Sequence, residues 1–448
     1  MGYVPVNRLL ISMSVPMMLS MLVQALYNVV DSVFVSYIGE DALTAVSLAF
    51  PVQTLMIAIS VGTSVGVNAL LSKNLGEKNH KAANRAAENA LFLALLGTIA
   101  FMIFGIFCVR PFFVSQTKDA RIVDFGSSYL SIICVFCVGL FFQVMLDKLL
   151  ISTGKTIYTM YTQGLGAITN IVLDPLFIFG VGPFPEMGVA GAAVATVIGQ
   201  IAAMLLSIYF NLTKNHEIHL DLKRFVPHLE TIKRIYAVGI PSILMTSVGS
   251  VMVLALNSIL MGFSSTATAV FGVYFKLQSF VFMPVFGLNN GMVPIVSYNY
   301  GARKKKRVKD TARYASYYAM GIMLGGTLIF QFIPDVLLNF FNASPDMLRI
   351  GSEALRTISF SFVMAGFSIV ASSVFQALGH GMSSLIISVA RQLGVLVPVA
   401  YLMSLTGNLH LVWWAFPIAE VVSLLMSIVV LQKVYNKEIN HLPDEEPA

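Results

Sequence analysis

The chain is 448 residues long, 57% hydrophobic and 11% charged, with a mean hydropathy of +0.80, where soluble domains carry about 25% charged residues. Its apolar runs reach the roughly 20 residues of a bilayer crossing, which points to a polytopic helical membrane protein and excludes a transmembrane β-barrel of short alternating segments. The net charge of +6 comes from basic residues in short loops between those runs, so it does not describe a nucleic-acid surface.

In chain order, twelve spans are predicted, near 9–35, 47–71, 88–110, 126–147, 157–180, 189–210, 236–260, 270–296, 312–333, 352–376, 382–404 and 411–432. The first is too long for the apolar core of a cleavable signal and is read as a retained span. Cys108, Cys134 and Cys137 all fall in apolar runs and encode neither a disulfide framework nor a metal site. Most Lys and Arg residues flank one side, among them Lys73, Lys78, Lys81, Arg85, Lys214, Lys223, Arg224 and the run from Arg303 to Arg307. That bias places both termini in the cytoplasm. The Arg303–Arg307 run is read as an anchor near anionic lipid. Asp147 and Lys148, at a cytoplasmic helix end, are expected to be interfacial.

Sliding the chain along itself reveals a repeat. Pro16 meets Pro241, Gly62 and Gly66 meet Gly287 and Gly291, Asn74 and Gly76 meet Asn299 and Gly301, Gly126 meets Gly351, and Gly154 meets Gly379, each pair 225 apart (241 − 16 = 225). Two homologous halves of six spans share one orientation, a parallel repeat. The expected fold is an all-α polytopic membrane protein of twelve transmembrane helices in two six-helix lobes. The expected boundaries are an N-terminal lobe over 1–215, a cytoplasmic linker over 216–235, a C-terminal lobe over 236–435 and a cytoplasmic tail over 436–448.

Ionisable groups at bilayer depth are costly and mark function. In span 1, Ser20, Gln24, Tyr27 and Asp31 are spaced 4, 3 and 4 and share a helical face with Asn28 beside it, a polar stripe that points into a bundle. In span 5, Asn170 and Asp174 are one turn apart, and Pro175 withdraws an N–H and frees carbonyls. Two carboxylates with an amide and a hydroxyl suit either a hard monovalent cation or a shared proton. At the 225 offset Asp31 meets Leu256 and Asp174 meets Val399, so the acid site belongs to the first half alone. Glu420 in span 12 contacts substrate or pairs with Lys276 or Arg391. The span methionines are read as packing.

Several activities are excluded by what is missing. Gly154-Lys155-Thr156 ends like a phosphate loop, but Leu149 stands where the earlier glycine belongs, so ATP is not the fuel and no ATPase subunit is expected. Neither aspartate sits in the glycine context of intramembrane aspartyl proteases, and His216-Glu217-Ile218-His219 is one residue short of a zinc-protease motif. The chain is not read as an enzyme, and no cofactor is expected.

Taken together, Gln24-x-x-Tyr27-Asn28-x-x-Asp31, Gly62-x-x-x-Gly66 followed by Asn74-x-Gly76, Asn170-x-x-x-Asp174-Pro175, the stretch from Gly188 to Thr196 and Trp413-Trp414-Ala415-Phe416-Pro417 resemble the multidrug and toxic compound extrusion (MATE) transporters over essentially the whole chain. The resemblance implies two six-helix lobes that export cationic amphiphilic compounds in exchange for Na⁺ or H⁺. It also implies a cation site of Asp31, Asn170, Asp174 and Thr196, with Na⁺ possible at Asp31, Asn170 and Asp174. Gln24, Tyr27, Asn28, Lys276, Arg391 and Glu420 are the expected substrate cavity or path, and Pro16 and Pro175 the expected bends. A monomer in the bacterial inner membrane is expected, touching lipids and small molecules and no nucleic acid. The competing expectation is a flippase for lipid-linked oligosaccharide, which would need more cavity Arg and Lys than Lys276, Arg356 and Arg391.

Overall fold

The computed structural model describes residues 1–221, 223 and 225–443; Arg224 of the expected linker and residues 444–448 of the expected tail lie outside them. Described residues form helices and no strand. In order these are α1 (Val6–Ser36), α2 (Glu40–Gly76), α3 (His80–Phe107), α4 (Val109–Gln116), α5 (Ala120–Val135), α6 (Val138–Ser152), α7 (Thr156–Phe179), α8 (Val189–Lys214), α9 (Leu229–Met261), α10 (Ser265–Gly301), α11 (Lys305–Phe332), α12 (Pro334–Asn339), α13 (Pro345–Ser359) and α14 (Phe362–Ala377). α15 (Gly381–Val389) then runs through a π-helical stretch, Ala390–Leu396, into α16 (Val397–Ser404), before α17 (Leu409–Trp413) and α18 (Ala415–Val434).

Several starts are dictated locally. Asn79, Ser264 and Ser344 each accept the N–H three residues on, at 3.1, 3.1 and 3.3 Å, and Pro345 follows its cap at a position where a missing N–H costs nothing. Among the described residues, nine helices are long and apolar enough to cross a bilayer, and the bent pairs α5–α6 (43°) and α13–α14 (49°) each add a crossing if counted as one span. The remaining predicted span, 312–333, is α11. Its 28 residues extend about 42 Å, with Lys305, Lys306, Arg307, Lys309 and Asp310 in its opening turns.

The chain divides into two compact units, Leu19–Gly239 and Met1–Met18 with Ile240–Ala448. These borders differ from the expected ones at 215 and 235. They fall inside helices, within two residues of Pro16 in α1 and Pro241 in α9. The opening turns of α1 and the residues before them join the C-terminal unit, to which both are hydrogen-bonded. Ser14 Oγ donates to Leu288 O (3.2 Å), Lys304 Nζ to Gly2 O (2.7 Å), and Arg307 Nη2 to Met1 O (2.9 Å) and Val4 O (2.7 Å).

The repeat recurs bond for bond. In the N-terminal unit Ser72 Oγ donates to Ser152 O (3.2 Å), and in the C-terminal unit Ser297 Oγ donates to Ala377 O (2.8 Å). The two donors are 225 apart, and so are the two acceptors (297 − 72 = 225; 377 − 152 = 225). Lys78 and Arg303 take φ of 57° and 56°, and Gly154 and Gly379 take 84° and 88°. A Cβ on Gly126 would strike the Phe113 ring, and one on its counterpart Gly351 would strike Leu338, the counterpart of Phe113.

Each unit is packed through small residues, as membrane helices require where lipid is as apolar as leucine. Along α3, Ala83, Ala87, Ala90 and Ala94 are fully buried at spacings of 4, 3 and 4, while Leu95, Ile99, Ile103 and Phe107 are exposed, an arrangement suited to a lipid surround.

Candidate functional site

In the N-terminal unit, α7 and α8 meet at glycines. A Cβ on Gly199 would come within 2.7 Å of Gly166 O, and one on Gly191 within 2.6 Å of the Phe177 carbonyl. This close approach lets short polar side chains bridge the two helices. The Asn170 amide, in the orientation that satisfies both its ends, places its nitrogen 3.3 Å from Asp174 Oδ2. Its oxygen then lies 3.1 Å from the Thr196 N–H and 3.2 Å from the Thr196 hydroxyl. Asp174 is fully buried and Asn170 nearly so.

Asp31, from the later turns of α1, meets this group. Its carboxyl is in hydrogen-bonding contact with that of Asp174, and its Oδ1 is buried without a partner. An ionised carboxylate can only accept, so two carboxyls in contact must share a proton or hold a cation between them. The structure therefore gathers Asp31, Asn170, Asp174 and Thr196. Tyr27 is half-buried beside the two acids, whereas Gln24 and Asn28 are exposed. Pro175 follows Asp174 inside α7. Sequence reasoning missed Tyr129, which borders the same acids, and Gln53, which holds it. Tyr129 of α5 faces both, and its hydroxyl accepts from Gln53 Nε2 of α2 at 3.1 Å; an isolated Gln and Tyr inside apolar runs were the available signal. The positions 225 on from Asp31, Asn170, Asp174 and Thr196 are Leu256, Val395, Val399 and Val421, so the C-terminal unit has no copy of this cluster.

That unit holds a different polar group. Arg391 Nη1 lies 2.5 Å from Glu420 Oε1, the Tyr274 hydroxyl is close to both, and the Tyr274 ring packs 5.9 Å from Phe416. Arg391 sits on the π-helical stretch, a local widening often found at functional sites. Lys276 does not join them; it is exposed, 5.9 Å from the Phe341 ring. The positions 225 before Arg391 and Glu420 are Gly166 and Ala195, one turn from Asn170 and next to Thr196. The two units thus spend polar residues at neighbouring repeat positions on different chemistry. Glu420 Oε2 is buried with no partner, so Arg391→Ala is expected to cost about 2 kcal/mol, by leaving a buried charge uncompensated. Arg391→Leu with Glu420→Leu should recover most of the melting temperature in detergent. Equal losses in the single and double variants would show that the pair contributes nothing.

Asp147 and Lys148, expected at a helix end, are enclosed by protein. They are 3% and 8% exposed, because α6 is enclosed by α7 and α8, whose Thr162 and Ser207 hydroxyls donate to Asp147 Oδ1 at 2.8 and 2.9 Å.

The MatE family model matches residues 16–176 and 241–402, two segments whose starts are 225 apart (241 − 16 = 225). The chain belongs to the MatE family; it is a membrane transporter and not an enzyme. It is 26% identical over 431 residues to the FAD transporter of Shewanella oneidensis, covering 95% of this chain and 93% of that one. It is 26% identical over 433 residues to the multidrug export protein MepA of Staphylococcus aureus, covering 95% and 94%. Among solved structures it superposes on the outward-facing conformation of a multidrug resistance MATE family transporter with a TM-score of 0.90 and 27% identity, over 96% of this chain and 97% of that one.

Proposed function

We propose that the chain is a secondary-active exporter of cationic amphiphilic compounds, driven by exchange for H⁺ or Na⁺ taken up at Asp31 and Asp174. The observation that carries this reading is the meeting of two carboxyls, an amide and a hydroxyl inside one unit, with an Asp31 oxygen left without a protein partner. Paired acids repel until a proton or cation lies between them. Ion uptake neutralises the cluster, α1 bends near Pro16 or repacks, and cargo affinity falls. Each charge entering down a 100 mV potential supplies about 2.3 kcal/mol, nearly two decades of cargo gradient. The similarity to MepA supports a multidrug cargo, and the side bias of Lys and Arg supports cytoplasmic termini in a bacterial inner membrane. The transporter is read as a monomer among lipids, with no ATPase subunit.

The test is ethidium efflux from everted vesicles under separately imposed Na⁺ and H⁺ gradients, with Asp31→Asn alongside. Efflux driven by one gradient and lost in the variant is the expected result. A second cargo is favoured by the equal similarity to a FAD transporter, and vesicles loaded with FAD decide it. No gradient-driven movement of either compound would overturn the antiporter and favour the lipid-linked oligosaccharide flippase.

A further inference from the structure

Asp147 lies outside the Asp31–Asp174 cluster, and its surroundings are those of an ion-binding group. Oδ1 accepts from Thr162 of α7 and Ser207 of α8, while Oδ2 is buried without a partner. Gln163 of α7 neighbours the carboxyl, and its Oε1 is likewise buried without a partner. A buried carboxylate oxygen without a donor is costly to keep charged, and a proton on Oδ2 removes that charge and makes the carboxyl a donor. A metal cation is the poorer occupant. Hard cations gather about six oxygens, and the residues acting on the carboxyl offer Oδ2 and Gln163 Oε1 as buried oxygens without a partner among the described residues.

We infer that Asp147 is a proton-binding site of the N-terminal unit, separate from the Asp31–Asp174 cluster.

The ionised form is also accommodated. Lys148, buried beside it, feels its charge and is its one charged neighbour among the described residues. The groups acting on the carboxyl from α7, α8 and α6 are Thr162, Gln163, Ser207 and Gln143, all uncharged, and α2 and α3 add no titratable group. The ionised form thus keeps the two hydroxyl donors and a neighbouring cation, while Oδ2 stays open to a proton.

The fold itself does not need the acid. Thr159 Oγ1 donates to Asp147 O (3.4 Å), and 225 residues on Ser384 Oγ donates to Ser372 O (2.7 Å). The same backbone junction is thus built in the C-terminal unit around a serine. Nor does the site merge with the first cluster. Thr162 precedes Asn170 by 8 residues (170 − 162 = 8) on α7, about 12 Å of helix, and the Gly166–Gly199 contact closes the seam between them. Toward the end of α8 polar groups continue. Asn211 Nδ2 donates to Leu146 O (3.0 Å) and Asn215 Nδ2 to Asn211 Oδ1 (3.0 Å), so the site lies beside a polar run leading to that helix end.

The test is infrared spectroscopy of the carboxylic C=O stretch in the purified full-length protein, titrated from acid to alkaline buffer. An Asp31→Asn, Asp174→Asn background removes the first cluster. One titrating buried-carboxyl band is expected to remain and to vanish in Asp147→Asn. That variant keeps an acceptor for Thr162 and Ser207, gains a donor toward Gln163, and should fold. Ser207→Ala, which removes one hydrogen bond to Oδ1, should shift the band in frequency. A spectrum unchanged by Asp147→Asn, or a band that Ser207→Ala does not move, overturns the site. The band does not depend on transport, so failure of the antiport reading and failure of this one are distinguishable.

Discussion

Asp174→Ala is expected to lower the affinity for the coupling ion on the order of 100-fold and to abolish gradient-driven efflux while leaving folded protein. Asp174 is one of two acids at the cluster, and it is fully buried against Asn170. Removing one partner of a buried, hydrogen-bonded charge arrangement costs about 2–5 kcal/mol, and each 1.4 kcal/mol or so is tenfold in affinity. Asn170→Ala and Thr196→Ala remove neutral hydrogen bonds of about 1 kcal/mol each, so roughly fivefold losses are expected from them. The ordering is the informative part. Ion-concentration dependence of ethidium efflux in proteoliposomes, read beside melting temperature, separates ion affinity from folding. Efflux from Asp174→Ala with the parent's ion dependence would remove Asp174 from the coupling site.

Gly66→Leu is expected to prevent folding of the N-terminal unit, at a cost of about 3 kcal/mol or more. A Cβ at Gly66 would lie 2.0 Å from Ile235 O and 2.9 Å from its carbonyl carbon. Both are backbone atoms of α9, which cannot turn aside as a side chain can. The counterpart position is also close-packed, since a Cβ at Gly291 would lie 2.6 Å from Ser14 Oγ and 2.9 Å from the Met13 carbonyl carbon. Gly164→Ala is the control. Nothing lies within 4 Å of its Cβ position, and relief of glycine's chain entropy in α7 should add about 0.5–1 kcal/mol. Size-exclusion profiles and melting temperatures in detergent decide both. A monodisperse Gly66→Leu protein that melts with the parent would refute the close approach.

The sequence by itself determined the helical membrane class, the duplication and much of the acid cluster. A bilayer demands long apolar helices, so the class is written in the runs. Glycines and left-handed positions fix backbone geometry, so the 225-residue offset survives wherever Gly154 and Gly379 turn or Gly126 and Gly351 pack. Helical spacing put Asn170 and Asp174 on one face, and the family resemblance, not spacing, supplied Thr196. Only the tertiary structure decided which helices those faces meet. It seated Met1–Met18 with the C-terminal unit, set Arg391 rather than Lys276 against Glu420, brought Tyr129, held by Gln53, to the acids and enclosed Asp147. Periodicity assigns a residue to a side of its own helix. What covers that side depends on contacts between helices far apart in the chain, such as those of α2 with α9, and no local pattern records them.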